Sequence, residues 1–303
     1  MQTQLKLGIP QPNYLPKFNH HNHQLPTTLS LIRAFQQVCL QPKLFSCKDE
    51  ALVKLGTTWS RCQAIKYFLQ FFKLCAEERS RIYPTAFGSK LLNNWDCYLE
   101  DANSIYLLHW HSLQPPCFSP SLWYLFCQNN SNEFAKEELL SGLINFNKEN
   151  NLQVANSSVR ADCNWLIRAY GDDEQEPIYS LLKPTPKFLY SFKNKTDQTI
   201  RYIWDFRVKS DLNPAIVLAT SLDFMGSKQS IPVEHLTYKA NSPGQVFKLR
   251  KSTLEEVIES VIASYGFHEV VKLQLDKEYK LHLKTSLDPE LLSLKILENY
   301  YGR

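Results

Sequence analysis

The densest group of acidic residues in the chain comprises Asp96, Glu100 and Asp101. Carboxylates can bind a divalent metal ion that activates water for attack on a phosphodiester, and His109 follows on the next predicted helix. The ordinary alternative is that Asp101 or Asn103 caps that helix, where a negative charge favours the N-terminus. We favour capping, because the helix is apolar and aromatic apart from His109, as a core helix is.

A helix predicted from Trp59 to about Phe72 carries a polar face opposite an apolar one. Thr57 or Thr58 can cap its N-terminus. Apolar residues recur at steps of three and four, which is typical of an amphipathic helix: Cys62, Ile65, Leu69 and Phe72. The opposite face is rich in hydrogen-bond donors and suits the major groove of DNA. It comprises Ser60, Arg61, Gln63, Ala64, Lys66, Tyr67 and Gln70.

The segments on either side of this helix predict a winged helix-turn-helix. A short helix from Asp49 to Leu55 ends at Gly56, which adopts the left-handed conformation at little cost. The sequence after the longer helix suits a two-stranded wing with a basic tip at Arg79 and Arg81. We therefore interpret residues 1–93 as a winged-helix DNA-binding domain with an N-terminal extension. The alternative is that the unit binds protein, as many helix-turn-helix modules do.

Positive charge is concentrated towards the N-terminus. Residues 1–90 contain twelve Lys or Arg against four Asp or Glu, whereas residues 91–163 contain three against eight. The net charge of the whole chain is only +4, so the indication of a polyanionic partner comes from the uneven distribution of charge along the chain. Such a patch attracts phosphate backbones whatever the base sequence. The competing interpretation is that these charged side chains only form the solvent-exposed face of a helical surface and bind no partner.

A second pair of helices is predicted between residues 135 and 170. Its second helix places Arg160, Asn164 and Arg168 at intervals of four on one exposed face. Arginine pairs with guanine or phosphate and asparagine with adenine, so this stripe can contact DNA. The same arginines can instead pair with acidic neighbours such as Asp162 or Asp172. The sequence leaves both interpretations open.

The chain as a whole is predicted to be an α+β protein that is mainly helical. Residues 94–175 would form a helical domain containing the second helix-turn-helix-like pair, and residues 176–303 a mixed α/β domain. This last part contains no Gly-rich phosphate loop, no nucleophile elbow and no zinc-binding His-Glu-x-x-His helix.

The cysteines do not follow the spacing of a zinc or thioredoxin site. The eight cysteines include no Cys-x-x-Cys pair, and we interpret them as reduced core thiols, as at Cys62 and Cys163. His20, His21 and His23 could bind a metal ion, but they lie in a stretch rich in Pro and Asn, which favours a solvated loop. No segment has the roughly 18 apolar residues of a membrane helix, and the N-terminus lacks a signal peptide, so a soluble cytoplasmic protein is predicted.

Several short motifs occur in a fixed order along nearly the whole chain. They are Leu55-Gly56, Ile65-Lys66-Tyr67-Phe68, Tyr98-Leu99-Glu100-Asp101, Leu107-Leu108-His109-Trp110, Ser157-Ser158-Val159-Arg160 and Ser242-Pro243-Gly244. In combination they resemble the bacterial family catalogued as domain of unknown function 4007. The resemblance implies an association with DNA phosphorothioation genes and a similarity to the nickase of a phosphorothioation defence system. If the protein nicks DNA, the densest acidic group, Asp96, Glu100 and Asp101, supplies the candidate catalytic residues, with a divalent metal such as magnesium as the cofactor.

The predicted function is DNA binding within a phosphorothioation-linked modification or defence system, with strand nicking as a candidate activity. The expected partners are DNA and other proteins of such a system, namely a cysteine desulfurase, a sulfurtransferase-like ATP pyrophosphatase and an ATPase. Two alternatives stay open. One is a non-enzymatic winged-helix regulator of transcription, and the other is an adaptor for sulfur-transfer or ATPase partners.

Overall fold

The structure is a computed structural model that describes residues 17–171, 181, 188–207, 209–264, 271–275, 279–284 and 288–302. Within these residues helices predominate, and the strands form small antiparallel sheets. The predicted α+β class is therefore confirmed. None of the described helices combines the length and the apolar character needed to cross a membrane.

The N-terminal helices follow the predicted order. They are α1 (Thr28–Leu40), α2 (Lys48–Leu55), α3 (Trp59–Phe71) and α4 (Ala86–Lys90). Gly56 ends α2 in the left-handed conformation, with φ of 63°. The hydroxyl of Thr58 accepts the backbone N–H of Arg61 and so caps α3. Both helix boundaries are thus set by the residues that the sequence singles out.

A two-stranded hairpin connects α3 to α4. It consists of β1 (Cys75–Glu78) and β2 (Arg81–Pro84). Glu78 is paired with Arg81 in the antiparallel register, so only Arg79 and Ser80 form the turn. Both turn residues have positive φ, as the tight hairpin turn that matches strand twist requires. The predicted two-stranded element is confirmed, and its basic residues lie at its tip.

The middle of the chain packs around a buried helix, α5 (Ala102–Leu113). Tyr106 and Trp110 on this helix are almost completely buried. The elements that follow are α6 (Pro120–Trp123), β3 (Glu133–Ala135), α7 (Lys136–Glu149) and α8 (Asn156–Tyr170). Helices α7 and α8 pack against each other, which confirms the second helical pair.

The remainder mixes strands and helices, as predicted. Its described elements are β4 (Leu189–Lys193), β5 (Ile200–Trp204), α9 (Pro214–Met225), β6 (Ser230–Pro232), α10 (Val233–Tyr238), α11 (Pro243–Phe247), α12 (Lys251–Ser264), β7 (Val271–Leu275), β8 (Tyr279–Leu283) and α13 (Pro289–Tyr301). The sheets have the orders β3-β5-β4 and β6-β8-β7. Because β3 joins β5, the middle and the last part of the chain share a sheet. Helix α9 packs against α5, α12 and α13.

All eight cysteines are free thiols. Cys62 and Cys163 are buried, as predicted for core positions. Cys39 and Cys47 are exposed, so the prediction of core thiols is wrong for these two. Cys39 lies near the end of α1, and Cys47 immediately precedes α2, so both exposed thiols are at helix ends.

Candidate nucleic-acid interface

The polar face of α3 is only partly open to solvent. Ser60 and Arg61, in its first turn, are exposed. Ala64, Tyr67 and Gln70, further along the same face, are buried. The sequence predicts this whole face to be exposed, and for these three residues that prediction is wrong. The reason is a segment of the N-terminal extension that lies against the C-terminal half of the helix.

This segment, residues 17–26, is called the N-terminal loop below, and it connects α3 to α8. The side-chain amide of Asn22 donates to the carbonyl oxygen of Ser60 at 3.0 Å. The guanidinium of Arg168 donates to the carbonyl oxygen of His23, also at 3.0 Å. The two helices that the sequence predicts as separate DNA-contacting elements are therefore joined through one loop.

Asp162 is the buried acceptor that holds the N-terminal loop in place. One carboxylate oxygen accepts the backbone N–H of Asn19 at 2.6 Å and lies 3.0 Å from Nε2 of His21. The other accepts the hydroxyl of Ser121 at 2.7 Å. The ring of His21 also stacks on Trp165, with centroids 5.1 Å apart. The predicted solvated loop is therefore wrong for His21, which is 3% exposed.

The contacts of Asp162 bear on the arginine stripe of α8. Arg160 is exposed, whereas Asn164 and Arg168 are half-buried. Asp162 does not pair with the arginines, because its hydrogen bonds go to the N-terminal loop and to α6. The other predicted partner, Asp172, lies outside the described residues. Arg168 uses its guanidinium to hold the carbonyl oxygen of His23. Arg160 is accordingly the member of the stripe best placed to contact a phosphate.

A polar network covers the C-terminal half of α3. Lys66 forms a salt bridge of 2.8 Å with Glu77 on β1. Gln70 donates to the other oxygen of Glu77 at 2.9 Å and accepts from Lys17 at 2.7 Å. Burial raises the pKa of Glu77, but its hydrogen bonds with Lys66 and Gln70 outweigh that effect and leave the pKa below its ordinary value. Lys66 is thus already paired and is less available to DNA than Arg61.

Sequence reasoning did not identify Lys17 or Lys73 as neighbours of this surface. The ammonium groups of both lie 4.7 Å from the centroid of the Phe118 ring. Burial lowers the pKa of Lys73 to about 8 and also lowers that of Lys17. No local signal marks these residues, because they meet Phe118 only through contacts distant in sequence.

The tip of the hairpin carries two exposed cations. Arg79 occupies the turn and Arg81 begins β2, and both are exposed. The hydroxyl of Ser46 donates to the carbonyl oxygen of Ser80 at 3.0 Å, which ties the turn to the segment before α2. The tip can therefore present its arginines to a phosphate backbone from an anchored position.

The acidic cluster near α5 serves as a local hydrogen-bond acceptor. One oxygen of Asp96 accepts the backbone N–H of Glu100 at 3.0 Å. The other accepts the N–H of Asp101 at 3.0 Å and the hydroxyl of Ser104 at 2.7 Å. Glu100 itself is exposed. Both oxygens of Asp96 are thus engaged in closing the loop that precedes α5.

Asp101 caps α5, which confirms the capping interpretation. One of its oxygens accepts the backbone N–H of Asn103 at 2.8 Å, and the other accepts the phenol of Tyr300 at 2.8 Å. Within the described part of the chain, no group of three or more His, Cys, Asp or Glu side chains is arranged to hold a metal ion. Asp96, Glu100 and Asp101 in this arrangement do not fit a metal centre.

His109 belongs to the core. It is completely buried, with Nδ1 3.1 Å from the phenol oxygen of Tyr170 and Nε2 3.0 Å from the carbonyl oxygen of Val246. Burial lowers its pKa to about 3. The neutral imidazole of His109 has both nitrogens in contact with polar partners, and it links α5 to α8 and α11.

The architecture is that of a mainly helical α+β protein with a helix-and-hairpin unit at its N-terminal end. The chain belongs to the family described as Protein of unknown function (DUF4007), whose model matches residues 18–301. Its fold is similar to that of two SspB crystal structures, one of them with bound magnesium ion. Each has a TM-score of 0.84 and 22% sequence identity, over 94% of this chain and 88% of the other. A search among curated proteins returns no match.

Proposed function

We propose that this protein binds duplex DNA as a component of a phosphorothioation-linked DNA modification or defence system. The binding surface consists of the first turn of α3, the hairpin tip and the exposed part of α8. It spans the proposed domains 1–93 and 94–175. The proposed DNA contacts are the exposed Arg61, Arg79, Arg81 and Arg160 together with the exposed Ser60, and the half-buried Gln63, Lys66, Asn164 and Arg168 lie beside them. The predicted contact Tyr67 is buried and is left out of this set.

The observation that carries this proposal is the junction between α3 and α8. Arg61 and Arg160 are exposed on two helices that the N-terminal loop holds together. Exposed arginines on adjoining elements favour binding to a polyanion. The order of helices and hairpin supports the winged-helix interpretation of residues 46–92. The likeness of the fold to SspB supports the proposed biological context, in which a desulfurase, an ATP pyrophosphatase and an ATPase are the proposed protein partners.

The direct test is titration of a short fluorescent duplex with the purified protein at several salt concentrations. We expect saturable binding. The logarithm of the affinity should fall linearly with the logarithm of the salt concentration, because phosphate contacts release counterions. An alternative adaptor role predicts no binding to the duplex but retention of sulfur-transfer or ATPase partners. A transcription regulator predicts strong preference for one sequence. Absence of DNA binding at low salt would contradict the proposal.

The hairpin tip is expected to add affinity without base preference. Replacing Arg79 and Arg81 by alanine should weaken binding to all duplexes to a similar degree, because a basic loop meets phosphates or the minor groove. The measurement is a comparison of affinities for duplexes of different sequence. If the double variant kept its affinity but preferred a different DNA sequence, the proposal that the hairpin tip contacts the phosphate backbone would be wrong.

Strand nicking is a further proposal, and substitutions in the acidic cluster test it. In a supercoiled-plasmid assay, with and without divalent cations, the pair Asp96→Asn and Glu100→Gln separates a structural role from a catalytic one. We expect Asp96→Asn to lower the thermal midpoint, since the new amide would face donors that now meet carboxylate oxygens. Glu100→Gln should leave the midpoint unchanged, because its side chain is exposed.

The plasmid result then decides the role of Glu100. If the folded Glu100→Gln variant nicks at the wild-type rate, Glu100 has no catalytic part. Loss of nicking at an unchanged midpoint and with unchanged DNA affinity would assign it one and would contradict a purely structural cluster.

A further inference from the structure

A cavity of ≈ 210 Å³ lies at the junction of α4, α5, α9 and α13. It is separate from the surface proposed to bind DNA. Its walls come from the N-terminal unit, from the central helix and from the last described helix. The lining residues include Phe87, Lys90, Trp95, Trp110, His111, Asp223, Glu290 and Leu294.

The walls of the cavity are largely apolar, and part of them is aromatic. The ring of Trp95 stacks on Tyr301, with centroids 5.1 Å apart and planes inclined by 5°. Trp110 is 1% exposed and holds its place through a hydrogen bond from its indole N–H to Asp223 at 2.7 Å. Phe87 and the imidazole of His111 lie against each other on another wall. These contacts fix the ring positions, so the cavity is preformed.

Two carboxylates face this aromatic space. Trp110 uses Oδ2 of Asp223, and within the described residues Oδ1 of Asp223 makes no hydrogen bond. Burial raises the pKa of Asp223, and the nearby charge of Glu290 raises it further. Glu290 lies in the first turn of α13 and is exposed at the edge of the cavity. A carboxylate that is partly desolvated and lies close to a second one is stabilised by a positive partner.

The basic groups beside the cavity do not supply that partner. The ammonium group of Lys90 lies 5.9 Å from the centroid of the Trp95 ring, but its charge is paired with Glu298 in a salt bridge of 2.6 Å. Burial lowers the pKa of His111 to about 3, and the charge of Lys73 contributes to this, so the imidazole is neutral at physiological pH. Among the described lining residues the remaining charges are those of Asp223 and Glu290. The cavity is therefore acidic within a chain of net positive charge.

We propose that this cavity binds a small organic cation, in which an ammonium, amidinium or guanidinium group is attached to a flat apolar body. The cationic group would bind Oδ1 of Asp223, with Glu290 adding attraction at the mouth. A planar fork of N–H donors matches a carboxylate, and aromatic rings attract a cation through their faces. A bare divalent ion fits less well, since the described residues offer no three-ligand group and the walls are apolar.

Benzamidine and benzamide are matched probes of this proposal, because they share shape and differ in charge. Calorimetric titration of the full chain should show saturable binding of benzamidine, and benzamide should bind about tenfold more weakly or not detectably. The assay contains no DNA, so its outcome is independent of the proposed function. Equal affinity for the two probes, or no binding of either, would overturn the proposal.

Three variants assign the binding to this cavity. Asp223→Asn keeps an acceptor for Trp110 but removes the charge, and it should weaken benzamidine about tenfold. Leu294→Trp should fill the cavity and abolish binding while the thermal midpoint shows that the chain is folded. Glu256→Gln, at an exposed position of α12, removes the same charge elsewhere and should change nothing. Unchanged affinity in Asp223→Asn, or equal losses in Asp223→Asn and Glu256→Gln, would refute the assignment.

Discussion

Replacing Asp162 by alanine is expected to lower the free energy of unfolding by about 3 kcal/mol or more. The substitution leaves the N–H of Asn19, the imidazole of His21 and the hydroxyl of Ser121 without their acceptor. Each buried polar group that loses its partner costs roughly 1–3 kcal/mol. The measurement is chemical or thermal unfolding of the variant beside the wild type.

The same variant should also lose affinity for DNA, because the N-terminal loop would no longer hold α3 against α8. Asp49→Ala is the matched control. Asp49 is exposed in the first turn of α2, where a carboxylate contributes only about 0.3–1 kcal/mol through the helix dipole. Equal stability of the two variants would show that Asp162 does not anchor the loop. An unstable Asp162→Ala with wild-type DNA affinity would remove the loop from the proposed interface.

The second large effect is expected from the pair Arg61→Ala and Arg160→Ala. Loss of two phosphate contacts should weaken duplex binding for all sequences and reduce the slope of log affinity against log salt by about two units. Lys66→Ala should have a smaller effect, because Lys66 is held by Glu77 in the free protein. Fluorescence titration over a range of salt concentrations measures both quantities.

A control must remove the same charge from another part of the chain. Arg250→Ala with Lys295→Ala does so at exposed positions near α12 and on α13. This control should preserve the salt slope, because it lowers the net charge without touching the proposed surface. If both double variants weakened binding equally, overall charge would explain the affinity, and the surface of α3 and α8 would not.

The parts of the fold that sequence predicted are those governed by neighbours along the chain. Gly56 ends α2 because its left-handed φ has no Cβ penalty, and Thr58 caps α3 through an N–H three residues away. The cap at Asp101 follows the same rule over two residues. Such contacts need no knowledge of what packs on the helix, so residue type and spacing are sufficient.

The burial of Tyr67 and Gln70 could not be predicted in this way. An amphipathic pattern identifies the face that is apolar, but it cannot show that a polar face is covered by a segment from elsewhere in the chain. Here Lys17 reaches Gln70 across 53 positions, and His21 reaches Asp162 across 141. Polar groups that satisfy one another inside a protein leave the same sequence signature as groups that face water.

The acidic cluster is a second case in which the sequence alone could not decide between two roles. Asp96, Glu100 and Asp101 are close in sequence, and proximity alone is compatible with metal binding or with capping. What separates the two is the direction of each carboxylate oxygen, and that depends on backbone N–H groups and on Tyr300, which is 199 residues from Asp101. The sequence offered the cap at Asp101 that the structure contains, but it could not predict the hydrogen bond from Tyr300.

The pairing of α13 with the start of α5 has a consequence for the order in which the protein folds and opens. Tyr300 and Tyr301 bond to Asp101 and Ser104, and α13 also forms one wall of the acidic cavity. Closing contacts over such a separation carries a large loop-closure entropy, so they are expected to form late. Detachment of α13 would remove the tyrosine contacts from the start of α5 and open the cavity in a single step. Amide hydrogen exchange in these two helices should therefore report one shared opening reaction, and a bound cation should slow it in both.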